Sequence, residues 1–147
     1  MGGGLKECNC AHETEFNFSK SPQAVKKILA SDVPVTLFPL DLTNHQRITE
    51  DPICELERDG ALKEMIALLR WNRQANMEYN NIPAAVLHDA MPILYLSKPE
   101  KFRVDTVRIS SDRYGHIEQT DNGRSVSLAM AVEDNVLYEA LKEAIIF

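Results

Sequence analysis

Amide and carboxylate side chains crowd one stretch near the N-terminus, Asn9-Cys-Ala-His-Glu-Thr-Glu15-Phe-Asn17. Amides both donate and accept hydrogen bonds, and carboxylates accept two or more, so Asn9, Glu15 and Asn17 suit a polyhydroxyl ligand such as a sugar. The same residue types close turns and cap helices in solvated loops, and chemistry alone leaves that reading open. His88-Asp89 forms a second cluster, with an apolar stretch before it and a helix-forming stretch after it. Asp89 suits either a helix cap or a hard-cation ligand. His88 suits either a packed neighbour or an acid–base group near neutral pH. The third cluster, Cys8-x-Cys10-x-His12, invites zinc. Structural zinc takes four nitrogen or sulfur ligands, usually from two knuckles, and neither Cys54 nor His45 has that spacing.

Elements of two kinds must position these groups. Residues 1 to 20 have no sustained hydrophobic period and read as a long loop, a length that is usually functional or disordered in a compact domain. Ser21-Pro22 opens a helix, with Ser as cap and Pro at the first helical position. Its predicted apolar face is Ala24, Val25, Ile28 and Leu29. Pro34 to Leu40 is a nearly continuous apolar run and predicts a strand buried on both faces of a parallel sheet. Asp41-Leu-Thr43 follows at its C-terminal end, where open α/β sheets gather ligands. A helix is expected from about Ala61 to Tyr79, with Leu62, Met65, Ile66, Leu69 and Trp71 as apolar positions, until Asn80-Asn-Ile-Pro83 breaks it. Another is expected from about Asp89 to Leu96, stopped at Lys98-Pro99. Phe102 to Ile109 and Val126 to Val132 are β-rich and bracket Asn122-Gly123, a hairpin-type turn signal. Asp134 to Phe147 predicts an amphipathic helix capped by Asp134, with Val136, Leu137, Leu141 and Ile145 inward.

Alternating helix and strand argues an α/β class. The sheet is short, however, with one convincing buried strand before the β-rich tail. Composition bounds the rest. The 147 residues are 44% hydrophobic and 26% charged, the balance of one globular domain. A net charge of −6, with basic residues scattered among acidic ones, gives no footprint for nucleic acid or an anionic membrane. No apolar run approaches a membrane span, and the N-terminus lacks the apolar core of a secretory signal. Three cysteines, odd in number, suit a reducing compartment, so a cytoplasmic location is expected.

Read together, the clusters carry a resemblance. Met1-Gly-Gly-Gly, Asn9, Thr14-Glu15-Phe16-Asn17 and Ser21-Pro22-Gln23-Ala24 resemble the ordered pattern of the inosine/uridine-preferring nucleoside hydrolase family: a Met-Gly-Gly turn, Gly-Asn, Ala-Glu-Phe-Asn and Asp-Pro-Glu-Ala-Ala. Val35 to Thr43 is similar to that family's following strand, which ends in Leu-Asp-Val-Thr. Leu87-His88-Asp89 is similar to its Leu-His-Asp-Pro at the head of a helix. The resemblance is close over residues 1 to 46 and 82 to 102, and weaker in the helical middle and the tail. It implies the C-terminal half of a nucleoside-hydrolase-type open, mostly parallel sheet with flanking helices. Residues 1 to 147 would form a partial domain with the N-terminal strands missing.

The resemblance also implies an activity, hydrolysis of the N-glycosidic bond of ribonucleosides. Asn9, Glu15 and Asn17 would bind ribose hydroxyls. Asp89 would ligate calcium and touch the sugar, and His88 would stand near the base and help protonate the leaving group. A small-molecule nucleoside is the expected partner, with a homo-oligomer or a separate N-terminal half as the protein partner. The sequence departs from the family pattern at Cys8 for Gly, His12 for Pro, Thr14 for Ala and Ala90-Met91-Pro92 for Pro-Leu. It also has no counterpart of the Asp-rich loop that supplies most calcium carboxylates and the general base. Calcium takes six to eight oxygens as a rule, so one aspartate does not hold it. The chain alone is therefore expected to be inactive, and a non-catalytic ribose-binding or scaffold role is the alternative.

Overall fold

The computed structural model describes residues 1–146. Two short helices, α1 (Phe16–Lys20) and α2 (Pro22–Leu29), lead to strand β1 (Thr36–Leu37) and the single-turn helix α3 (Leu40–Thr43). Next come β2 (Arg47–Ile48), α4 (Glu50–Arg58), α5 (Lys63–Asn80), β3 (Ala85–Val86) and α6 (Ala90–Ser97). Strands β4 (Phe102–Ser111), β5 (Ile117–Gln119) and β6 (Arg124–Val132) precede the last helix, α7 (Val136–Ile145). The main sheet has the order β1-β6-β4-β5, and β2 pairs with β3 in a separate ribbon. Among the described residues only β1 and β6 run parallel and the other pairs are antiparallel, so the sheet is mixed rather than mostly parallel as expected.

The sheet separates two apolar clusters. On one face Phe38 and Ala129 join Ile53 and Leu56 of α4, Ile66 and Leu69 of α5, Met91 of α6 and Leu137 of α7. On the other, Leu37 and Leu128 join Ile109, Ile117 and Val126 under Phe18 and Leu29. Successive strand residues point to opposite faces, so Leu37 and Phe38 anchor β1 to both clusters. The expected two-sided burial holds only from Leu37 onward: regular pairing covers Thr36–Leu37, and Pro34 and Thr36 are exposed. Asp41-Leu-Thr43 follows it as the helix α3.

The predicted helices over 61–79 and 89–96 form as α5 and α6, and the two β-rich segments form β4 and β6. Other expectations need correction. The N-terminal stretch is not wholly loop: it holds a 3-10 turn over Ala11–Glu13 and the helix α1. Ile53 and Leu56, both fully buried, sit on α4, a helix the hydrophobic pattern did not reveal. On α5, Ile66 and Leu69 are buried while Trp71 is 69% exposed. Two residues advance a helix by about 200°, which turns Trp71 away from Leu69. On α2 only Val25 is buried, and Ala24 and Ile28 lie open. The N-cap of α7 is Asn135 in the left-handed region, not Asp134, and Phe147 lies outside the described residues.

Asn122-Gly123 does not close a two-residue hairpin. β5 and β6 lie on opposite sides of β4, and Ile109 pairs with Gln119 on one side and Arg124 on the other. The connection must therefore cross β4. It does so at Gly123, where an added Cβ would lie 2.5 Å from the Ile109 carbonyl carbon and oxygen. Only a residue without a side chain passes there.

Candidate functional site

Glu15 is the hub of the N-terminal segment. It is 2% exposed, and its carboxylate accepts from the backbone N–H of Gly3 at 2.9 Å, Asn17 at 2.8 Å and Phe18 at 3.2 Å. One side chain thus caps α1 and ties it to the Met1-Gly turn, twelve residues back. Gly3 accepts this geometry with φ +72°, a conformation that L side chains rarely adopt. The Asn9 side-chain oxygen accepts from Phe16 N–H at 2.8 Å, leaving its amide N–H groups for other partners. The cap and turn reading of these residues is therefore realised, and it coexists with unused hydrogen-bonding capacity.

Two neighbouring elements brace this segment. Both Asp41 oxygens accept backbone N–H groups, from Leu5 at 2.7 Å and Lys6 at 2.8 Å, which fixes α3 to the segment. The Glu7 carboxylate accepts from the Asn44 amide at 2.7 Å and lies 2.6 Å from His45 Nε2. From the other side the β4–β5 tip packs against the turn at His12 and Glu13, both with positive φ. The His12 ring stacks on Tyr114 at 3.9 Å, and His116 Nδ1 donates to the Glu13 carbonyl at 2.7 Å.

His88 reaches the site from the opposite direction, after β3. Asn72 on α5 accepts the Val86 N–H at 2.9 Å, and Asn76 and Asn80 continue an amide ladder down the same helix face. The spacing of four residues stacks these amides one turn apart. Thr43 Oγ1 lies 2.9 Å from His88 Nδ1. Burial pushes the imidazole below its ordinary pKa, against the opposing pull of the negative Asp89 and Glu15.

These elements enclose a cavity of about 240 Å³ lined by Cys8, Asn9, Asn44, Asn76, Asn80 and His88, among others. Asn9 and His88, expected from sequence, therefore meet at one site, and Glu15 is near enough to act electrostatically on His88. Asn17 is exposed, its amide 3.4 Å from Met1 Sδ. Asp89 is exposed at the head of α6, and its side chain makes no capping hydrogen bond. Neither lines the cavity. Thr43 lies in the Asp41-Leu-Thr43 segment expected at a ligand-gathering strand end, whereas nothing in the sequence singled out Asn44, Asn76 and Asn80; only the four-residue spacing of Asn72, Asn76 and Asn80 could have marked a polar face on α5.

Metal chemistry can be judged from the donors. Among the described residues, no group of three or more His, Cys, Asp or Glu side chains is placed to hold a metal ion. Asp89 offers a single carboxylate, which does not fit the six to eight oxygens typical of calcium. Nor are Cys8, Cys10 and His12 brought together with a fourth ligand as a zinc site would require. No helix of the described residues is long and apolar enough to cross a membrane.

Comparison with known proteins completes this picture. The family model described as inosine-uridine preferring nucleoside hydrolase matches residues 1–139. The pyrimidine-specific ribonucleoside hydrolase RihB of Shigella flexneri is 30% identical over 114 residues, which cover 76% of this chain and 36% of that protein. A plant nucleoside hydrolase superposes with a TM-score of 0.86 at 18% identity, covering 99% of this chain and 52% of the other. The purine-preferring ribonucleoside hydrolase of Gardnerella vaginalis superposes with a TM-score of 0.80 at 19% identity, over 97% of this chain and 49% of that one. The chain thus spans between about a third and a half of the curated relatives it matches and about half of the solved ones. With its motifs in order, the matching model over nearly its whole length and an α/β fold shared with solved nucleoside hydrolases, the chain belongs to the inosine-uridine preferring nucleoside hydrolase family.

Proposed function

We propose that these residues supply the ribose-binding and leaving-group side of an active site that hydrolyses the N-glycosidic bond of ribonucleosides. The observation that carries this reading is the convergence of Asn9 and His88 on one cavity, with the Glu15 charge beside them. In such a hydrolysis the bond from the anomeric carbon to the base breaks, its electron pair stays on the base, and water supplies the new oxygen. Positive charge develops on the ribosyl group, and the carboxylates of Glu15 and Asp89 favour it electrostatically. Asn9 donates from its free amide to a ribose hydroxyl. Glu15 has one acceptor position left beyond its three backbone donors, and Asn17 adds a further amide. His88 faces the base and helps to protonate it as it leaves.

The chain forms the C-terminal half of such a hydrolase domain, and Asp89 would give a calcium ion at most one carboxylate, so these residues would need further ligands from outside them to hold it. Alone, the chain binds ribose weakly without hydrolysing nucleosides. Titration of ribose and of uridine into the 15N-labelled protein tests the binding side. Shifts at the Asn9 and Asn17 side-chain amides and at His88, removed by Asn9→Ala, are expected. Shifts confined to other surfaces would contradict the assignment.

A further inference from the structure

We propose that Thr43 is a positioning residue that holds His88 in the tautomer with hydrogen on Nε2, so that the ring presents a donor to the cavity. The value of that donor for hydrolysis rests on the role proposed above for His88; the tautomer itself does not. Thr43 is fully buried at the end of α3. Its N–H is taken by the Pro39 carbonyl at 3.1 Å. Threonine hydroxyls in helices commonly bond back to a carbonyl of the preceding turn. This one instead meets His88 Nδ1 at 2.9 Å, 45 residues further along the chain.

The hydroxyl hydrogen decides the tautomer. Among the described residues Nδ1 is the only hydrogen-bond partner of Thr43 Oγ1. If Nδ1 carried the hydrogen in the neutral ring, the ring would donate to Oγ1 and the buried hydroxyl hydrogen would have no acceptor. A buried unpaired donor is costly. With the hydroxyl donating to Nδ1, both groups are satisfied, and the ring hydrogen sits on Nε2. Nε2 has no protein partner among the described residues and belongs to a side chain that lines the cavity. No bond of a substrate is made or broken by this arrangement; it sets which nitrogen is the donor before a ligand arrives. Asp41 and Asn44 flank Thr43 and tie α3 to the segment carrying Asn9, so the same short helix orients both sides of the cavity.

Long-range 1H–15N spectra of the histidine rings, recorded on the full chain at alkaline pH and assigned with His88→Gln, test the inference. A bare Nδ1 and a protonated Nε2 are expected at His88. In Thr43→Val, which keeps the side-chain shape but deletes the donor, that preference should fall about tenfold, the worth of one ordinary hydrogen bond. Thr43→Ser should restore it. Hydrogen on Nδ1 in the unmodified protein would overturn the proposal, and that spectrum needs no variant to fold. Unchanged ring nitrogens in a Thr43→Val protein with native backbone amide signals would overturn it too. Either outcome can be read whether or not ribose binds at Asn9.

Discussion

At the scale of single residues, Glu15 does two jobs with one carboxylate. It organises the segment through three backbone donors, and its charge lies close enough to His88 to act on it electrostatically. Glu15→Ala should therefore destabilise the fold by about 2–4 kcal/mol, since it removes a helix cap and leaves buried donors unpaired. Glu15→Gln keeps an acceptor and should cost less; urea unfolding of the two variants measures the difference. His88 gives a pH signature. Burial holds its pKa below the ordinary value of 6.5, so the unfolded chain takes up the proton first as pH falls. Its contribution to stability is full above about pH 6.5, shrinks as pH drops through that value and levels off below the folded pKa. Unfolding midpoints should fall more steeply with acidification in the unmodified protein than in His88→Gln, and parallel curves would contradict this. Residue types and order singled out Asn9 and His88, which meet at one cavity, together with Glu15, Asn17 and Asp89, which do not line it. Their partners were not legible, because Glu15 is tied to Gly3 and Thr43 to His88 by folding rather than by spacing.

At the scale of elements, the sequence displayed whatever depends on local period and punctuation. α5 and α6 end where asparagine and proline runs break them, and β4 and β6 follow their β-branched residues. α4 was hidden because its inward residues, Ile53 and Leu56, are isolated among charged ones. The Asn122-Gly123 turn does form, with the Gly123 N–H donating to the Thr120 carbonyl at 3.1 Å, but it joins no two-residue hairpin. The dipeptide signals a reversal, whereas the glycine serves a passage across β4, visible only once the strand order is known. Gly123→Ala should push a methyl group into the Ile109 backbone, which has nowhere to yield, and cost about 2–3 kcal/mol. A loss below about 0.5 kcal/mol in chemical denaturation would show that the crossing is looser than described.

At the scale of the molecule, the expected shortness of the sheet matches a four-stranded arrangement with β1 paired on one side only. Trp71, Tyr79, Ile93 and Leu96 are between 69% and 82% exposed, and Ile28 and Val33 are exposed as well. Open strand edges and apolar surface favour association. The isolated chain should bind a hydrophobic dye or self-associate, and a monomeric, cooperative unfolding transition without dye binding would argue otherwise. In the proposed reading this chain would hold the sugar and leaving-group contacts of a ribonucleoside hydrolase, while most metal-binding carboxylates would come from outside it. The most direct test is ribose release from inosine and uridine, with and without calcium, by the chain alone and with the N-terminal half of a family member added. No turnover alone is predicted, together with calcium-dependent turnover in the mixture that Asp89→Ala abolishes and His88→Ala slows. Robust calcium-dependent turnover by these 147 residues alone would contradict the account.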